Sequence, residues 1–180
     1  MGKILIVVDM QNDFIDGTLG TKEAVSIVPN VIAKINSLKK GDKIICTRDT
    51  HDADKYMQTQ EGRLLPVLHC AAGTNGWEIN KDVQNAVINS EKSYLAYVDK
   101  PSFGSIILPN IVNQAYSKDT SEIELIGLCT DICVVSNALI LKAYFPEAKI
   151  TVDSSCCAGV TPEKHEAALE TMRSCQINVI

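Results

Sequence analysis

The chain has 180 residues, of which 46% are hydrophobic and 22% charged, and its formal net charge at pH 7 is −5. This composition is typical of a globular protein, and we expect a single domain over residues 1–180. The acidic balance and the lack of any Lys/Arg block argue against nucleic acid and against an anionic membrane as partners.

The start of the chain and its cysteines predict a cytoplasmic protein with reduced thiols. The chain leads directly into an apolar run at residues 3–9, without the separate basic and apolar regions of a signal peptide. No apolar stretch reaches the roughly 18 residues that span a bilayer. Seven cysteines are an odd number for a disulfide framework, so we expect free thiols, most of them buried.

Strand-like apolar runs alternate with amphipathic stretches along the chain. The run at residues 3–9 is continuously apolar, as expected of a strand buried on both faces. Residues 22–40 carry apolar side chains at three- and four-residue spacing, which predicts a helix ended by Gly41. Further strands are expected at 43–47, 94–99, 122–127, 149–153 and 177–180, and further helices at 106–117, 131–144 and 162–174.

Alternating strands and helices predict a parallel sheet covered on both faces. The expected fold is therefore a three-layer α/β sandwich with a mostly parallel, doubly wound sheet. Ligands bind such sheets at the carboxyl ends of the strands, where the strand order reverses. Polar residues follow the predicted strands at Asp9, 48–49, 99–100, 129–133 and Asp153. Their convergence predicts a functional site.

Cys133 is the first candidate for a nucleophile. It follows the predicted strand 122–127 through a short turn and should lie in the first turn of a helix, where backbone N–H groups and the helix dipole lower a thiol pKa. The same N–H groups could stabilise an oxyanion. A buried core cysteine is the alternative. Cys156 and Cys157 also follow a strand, but their small-residue segment favours close packing.

Asp9 and Lys100 are candidates for an acid/base pair. A carboxylate at the mouth of the sheet can accept a thiol proton and deliver it to a leaving amine. Lys100 could keep that carboxylate ionised and stabilise a thiolate. The alternatives are a capping role for Asp9 and a solvated Lys100.

A metal site is the third candidate. Asp49 and His51 lie two residues apart, so their side chains point to the same side of an extended segment. His69 and Glu61 lie in the same irregular stretch, residues 48–78, which is long enough to suggest function. One carboxylate and two imidazoles suit zinc, iron or manganese. The alternative is surface histidines, and His165 is expected to be solvated.

Six segments together resemble one family. They are VVDMQNDF at 7–14, TRDTH at 47–51, PVLHCAAGTNGWE at 66–78, DKPSF at 99–103, GLCTDICV at 127–134 and VDSSCCAG at 152–159. In this order they resemble the isochorismatase-like cysteine hydrolases and, within them, the nicotinamidases. The resemblance covers essentially the whole chain.

The resemblance implies Cys133 as nucleophile, Asp9 as acid/base and Lys100 as its partner. It implies a cis Leu128–Cys129 peptide that directs the N–H groups of Cys129 and Cys133 into an oxyanion hole.

For the pocket, the resemblance implies that Asp49, His51 and His69 bind a divalent metal, zinc first and manganese or iron as alternatives, which anchors a pyridine nitrogen. Glu61 would be the further ligand. Phe14 and Phe103 would be walls of the pocket.

The chain departs from the nicotinamidase pattern beside His69, where Val67 and Leu68 replace the usual aromatic residue.

From the resemblance as a whole we expect a nicotinamidase acting on a small amide, in a homo-oligomer. A sister hydrolase acting on another small amide or carbamoyl compound is the first alternative. A non-catalytic thiol-based binding or redox-sensing module is the second.

Overall fold

The computed structural model describes residues 2–180, and its centre is a six-stranded sheet in which every neighbouring pair is parallel. The strands lie in the order β3-β2-β1-β4-β5-β6, so the order reverses between β1 and β4. The strands are β1 (Gly2–Val8), β2 (Lys43–Asp49), β3 (Tyr94–Lys100), β4 (Thr120–Leu128), β5 (Ile150–Ala158) and β6 (Asn178–Val179). The predicted doubly wound sheet is confirmed.

Helices cover both faces of the sheet. The helices are α1 (Asn12–Ile15), α2 (Lys22–Asn36), α3 (Gln60–Leu64), α4 (Lys81–Asn89), α5 (Leu108–Ala115), α6 (Val135–Tyr144) and α7 (Pro162–Ser174). One hydrophobic core lies beneath α2 and α4, and a second lies beneath α5, α6 and α7. Along β1, Leu5 and Val7 enter the first core while Ile4 and Ile6 enter the second, because successive strand residues face opposite sides.

Two predictions about element ends are wrong. Helix α2 ends at Asn36 instead of Gly41, because the Leu38 N–H bonds to the Ile35 carbonyl, three residues back, so the last turn tightens and the α-helical pattern stops. Strand β5 continues to Ala158, so Asp153 lies inside the strand and not at its carboxyl end.

Helix α4 was not predicted at all. Its buried face is short, consisting of Val83, Ala86 and Val87, and Asn80 caps its start by accepting hydrogen bonds from backbone N–H groups. No helix within residues 2–180 is both long enough and apolar enough to cross a membrane.

Candidate active site

Lys100 is the centre of a buried cluster at the point where the strand order reverses. Its ammonium nitrogen Nζ lies 2.7 Å from Asp9 Oδ2, 3.3 Å from Asp49 Oδ1 and 3.4 Å from Cys133 Sγ. Nζ also donates to the Ser102 carbonyl at 3.1 Å. We call Lys100, Asp9, Asp49 and Cys133 the Lys100 cluster. The structure thus brings the three predicted residues Asp9, Lys100 and Cys133 into contact.

Asp9 follows β1 in a left-handed backbone conformation, with φ of +47°. The Thr47 hydroxyl donates to Asp9 Oδ1 at 2.6 Å. Burial raises the pKa of Asp9; the Lys100 charge opposes this shift and the neighbouring Asp49 adds to it. The carboxyl is therefore a stronger proton acceptor than an exposed aspartate would be.

Lys100 is fully enclosed yet remains a cation. Burial alone would lower the pKa of the ammonium, but Asp9, Cys133 and Asp49 together hold that pKa above its ordinary value. A permanent positive charge therefore lies beside both the carboxylate and the sulfur.

Cys133 lies in a π-helical turn, Thr130–Val134, that leads directly into α6. Burial raises the pKa of its thiol, Asp9 raises it further, and the Lys100 charge opposes the change. The prediction that the helix start lowers this pKa is therefore wrong, because burial dominates. The resting group is a neutral thiol that needs a proton acceptor close by.

The cis Leu128–Cys129 peptide that the resemblance implied is present. Cys129 and Cys133 line the same small cavity, of about 60 Å³. The rival thiols do not: Cys156 and Cys157 pack into opposite cores from β5, and neither lines a cavity that Cys133 lines.

The residues of the expected metal site converge. One donor atom from each of the four lies within 4.8 Å of the others; the residues are Asp49, His51, Glu61 and His69. His51 Nε2 lies 2.9 Å from Asp49 Oδ2, and His69 Nε2 lies 3.4 Å from the same oxygen and 3.6 Å from Glu61 Oε1. Zinc bonds of about 2.0–2.2 Å at tetrahedral angles separate ligand atoms by roughly 3.3–3.6 Å. The donor set fits a divalent metal ion.

Hydrogen bonds from the surrounding chain orient two of these donors. His69 Nδ1 lies 2.9 Å from the Val67 carbonyl, which directs its Nε2 lone pair toward Asp49 and Glu61. The buried Gln11 side chain donates to the Asp49 carbonyl at 2.8 Å and accepts from the Asp49 N–H at 2.7 Å.

Two cavities open above the cluster. The inner one, of about 60 Å³, is lined by Cys133 together with Asp49, His69 and Phe14. The outer one, of about 520 Å³, is lined largely by apolar side chains, including Leu64, Leu65 and Pro101. Glu61, Leu65, Phe103 and Ile132 line both cavities. Phe14 and Phe103 therefore border the space next to the thiol, as the resemblance implied.

Some residues of the site were missed from the sequence. Thr47 and Gln11 hydrogen-bond to members of the Lys100 cluster, the Tyr56 hydroxyl lies 3.4 Å from Nδ1 of the metal-type donor His69, and the inner cavity is lined further by Leu19, Leu65 and Ile132. Thr47 and Gln11 lie within the quoted motifs, so proximity to Asp49 and Asp9 was the available signal. Ile132 also lies within a quoted motif, at 127–134, whereas Leu65 gave no signal, since exposed apolar residues are common.

Two expectations for polar residues are wrong. Asp153 does not join the site but pairs with Lys34 at 2.5 Å, on the α2 side of the sheet. His165 is half-buried instead of solvated, and its Nδ1 lies 2.8 Å from Thr130 Oγ1.

Comparison with known proteins supports the family. The model of the isochorismatase domain matches residues 3–180. The isochorismatase family protein PncA of Bacillus subtilis (strain 168) is 28% identical over 179 residues, covering 94% of this chain and 93% of the relative.

Two solved structures have the same fold. The nicotinamidase/pyrazinamidase PncA from Bacillus subtilis superposes with a TM-score of 0.82 at 26% identity, over 99% of each chain. The pyrazinamidase of Pyrococcus horikoshii in complex with zinc has a TM-score of 0.77 at 27% identity, over 100% of this chain and 99% of that one. These findings favour an enzyme over the non-catalytic module. The chain belongs to the isochorismatase family and is an amidohydrolase.

Proposed function

We propose that the protein hydrolyses nicotinamide to nicotinate and ammonia through a thioester on Cys133. One observation carries this proposal: a buried thiol, three of the four metal-type donors and a phenylalanine ring line a single small cavity. A flat amide with a ring nitrogen can meet all three groups at once, with its carbonyl carbon at the sulfur and its nitrogen near the donors. The names of the Bacillus subtilis and Pyrococcus horikoshii relatives point to the same substrate class.

In the first half of the reaction, Asp9 accepts the proton of the Cys133 thiol. The sulfur then bonds to the amide carbon, and the electron pair of the carbonyl moves to its oxygen. The N–H groups of Cys129 and Cys133 stabilise this oxyanion. When the carbon–nitrogen bond breaks, Asp9 returns its proton to the leaving amine, and ammonia departs.

In the second half, Asp9 takes a proton from water, which attacks the thioester carbon. The carbon–sulfur bond breaks, nicotinate forms, and the thiol regains its proton from Asp9. Lys100 keeps its charge throughout, since Asp9 and Asp49 hold its pKa high. It stabilises Asp9 and the thiolate in the forms that the reaction needs.

Asp49, His51, His69 and Glu61 would hold a divalent metal ion. When bound, such an ion supplies a Lewis-acidic contact that orients the substrate ring. We propose zinc, because the donors are imidazole nitrogens and carboxylate oxygens and a relative was solved with zinc. Manganese and iron can use the same donors. The resemblance also supports a cytoplasmic homo-oligomer of single-domain subunits.

A sister activity on a larger amide or a carbamoyl compound is the second candidate. The size of the outer cavity favours it, because about 520 Å³ bordered by exposed Leu64 and Phe103 offers room beyond one pyridine ring.

The test is ammonia release by zinc-, manganese- and iron-loaded protein from nicotinamide, pyrazinamide and a carbamoyl amino acid. The proposal predicts the highest kcat/KM for nicotinamide. A higher value for the carbamoyl compound in every metal form would show that the second candidate is correct.

A further inference from the structure

Thr130 is a buried polar residue inside the turn that carries the nucleophile. It is fully buried and lies between Cys129 and Cys133. The hydrogen-bond partner of its hydroxyl is Nδ1 of His165, in α7, at 2.8 Å. This hydrogen bond connects α7, on one face of the sheet, to the turn at the carboxyl end of β4.

A second contact connects the same two regions. Asp131, the next residue of the turn, accepts a hydrogen bond from the Val160 N–H at 2.9 Å. Gly159 approaches so closely that an added Cβ would lie 2.9 Å from Asp131 Oδ1 and 2.8 Å from the backbone nitrogen of His165. The segment before α7 therefore packs directly against the turn, which leaves His165 little freedom to move away.

The opposite side of the turn is held independently. Asn137 of α6 donates to the Cys133 carbonyl at 2.8 Å and accepts from the Ser105 N–H at 3.0 Å. The turn is thus held between α6 and α7, and the Thr130–His165 contact is its hydrogen bond to a side chain of α7. Burial lowers the pKa of His165, so the imidazole is neutral at neutral pH.

We propose that His165 is a positioning residue that holds, through Thr130, the turn carrying the Cys129 and Cys133 N–H groups. It lines neither cavity of the site, so its effect reaches the reacting atoms only through Thr130. The consequence for catalysis rests on the proposed function. Loosening the turn would misplace the oxyanion donors and the sulfur but leave the ring-binding groups Phe14 and His69 in place. The expected signature is a lower kcat with little change in KM.

A double-mutant cycle tests this inference, with Thr130→Val, His165→Leu and the double variant. Thr130→Val keeps the side-chain shape and removes the hydroxyl, and His165→Leu removes the ring nitrogen. Loss of one neutral hydrogen bond predicts a roughly five- to tenfold lower kcat in each single variant, with KM within about twofold. The double variant should lose no more than either single one, because both remove the same bond. Multiplying effects, an unchanged kcat, or a change confined to KM would overturn the proposal.

His165→Asn separates positioning from general loss of stability. Its amide places an acceptor or a donor where Nδ1 lies, so kcat should return to within about threefold of the parent protein. If His165→Asn is as slow as His165→Leu at matched thermal midpoints, the hydrogen bond does not act as proposed. Glu166→Gln, the exposed neighbour on α7, is the matched control and should leave kcat unchanged.

Alkylation of Cys133 by iodoacetamide distinguishes this inference from the proposed function, because it requires no amide substrate. If the parent protein does not hydrolyse nicotinamide, the proposed function fails. The positioning role is then tested by measuring the alkylation rate of Cys133 in the parent protein, in the two single variants and in the double variant. A shared, non-additive change of the rate in the Thr130 and His165 variants supports the positioning role. Independent or absent changes contradict it.

Discussion

Lys100 and Lys34 both lie among carboxylates near the sheet, but their surroundings differ. Lys34, on α2, has its ammonium nitrogen 2.8 Å from Glu124 Oε1 and 2.5 Å from Asp153 Oδ2, and Lys3 pairs with the second oxygen of Glu124. We call these four residues the Lys34 cluster. In it, every carboxylate has a lysine partner.

The pKa values do not separate the two clusters. Burial opposes the charge of each lysine, and the carboxylates overcome that effect, so the pKa of both ammonium groups lies above the ordinary value. What differs is the surroundings: Lys100 lies 3.4 Å from the Cys133 sulfur, which lines a cavity, whereas Lys34 contacts the carboxylates of Glu124 and Asp153 and lines neither cavity of the site. A perturbed lysine therefore marks an ion pair, and a nucleophile beside a cavity marks a site.

The largest contrast is expected between Asp9→Asn and Asp153→Asn. An amide at position 9 cannot accept the thiol proton, so kcat for nicotinamide should fall by about 10⁴-fold, the upper range for general acid/base groups. Asp153→Asn should keep kcat within about twofold while lowering the thermal midpoint. Steady-state ammonia release and thermal melting measure the two effects. Equal losses of kcat would mean that the clusters do not differ in role.

Lys100→Met and Lys34→Met compare the effect of removing the ammonium group from each cluster. Loss of the Lys100 charge should lower kcat by about 10²- to 10³-fold, the usual effect of removing one electrostatic stabiliser. Lys34→Met should leave kcat nearly unchanged and reduce the free energy of unfolding by about 1–3 kcal/mol, because Asp153 loses its lysine partner and Glu124 keeps only Lys3. Denaturant unfolding of both variants is the check. If Lys34→Met is fully folded and its kcat is nevertheless lowered, the claim that the Lys34 cluster has no role in catalysis is contradicted.

A smaller effect is expected at the metal donors. The Tyr56 hydroxyl donates to the Leu65 carbonyl at 2.9 Å and lies 3.4 Å from His69 Nδ1. Tyr56→Phe should weaken zinc affinity by about tenfold, because groups that orient a ligand imidazole have effects of this size. Competition with a chromogenic chelator measures the affinity. Tyr97→Phe, whose hydroxyl bonds only Gln84 in the described chain, should leave it unchanged.

The smallest effect concerns pH. Because burial raises the pKa of Asp9, kcat/KM should fall with decreasing pH already above the ordinary carboxyl value of 3.8, as Asp9 becomes protonated. The Thr47 hydrogen bond stabilises the ionised form, so Thr47→Val should move this acid limb to higher pH by up to about one unit. Thr151→Val, which loses a hydrogen bond to Glu122, is the control. A limb that moves to lower pH would contradict the assignment of Asp9.

The strands were predictable to within a few residues, except at the carboxyl end of β5. Short continuous runs of β-branched residues favour buried strands over other structures. The error at β5 had a chemical consequence, since it placed Asp153 at the sheet edge when it belongs to the Lys34 cluster. Residues 149–153 look complete as a strand, and the small residues that extend it carry no strong strand preference. Pairing with β4 determines that extension.

The candidate residues of the site could be found from motif position, but their energetics could not. Cys133 at a helix start suggested a lowered thiol pKa, whereas the enclosed position raises it. The burial of Cys133 depends on which distant parts of the chain pack over the turn, and the local sequence does not predict these contacts. His165 was misjudged for the same reason, because its partner Thr130 lies 35 residues away in the chain.

The role of Cys133 is tested by ammonia release from nicotinamide, measured for the parent protein and for Cys133→Ala, each metal-loaded and chelator-treated. We expect turnover by the metal-loaded parent, a rate at least about 10⁴-fold lower for Cys133→Ala, and recovery of the chelated parent when zinc is returned. A Cys133→Ala variant that retains more than about one per cent of the parent rate would contradict the claim that Cys133 is the nucleophile.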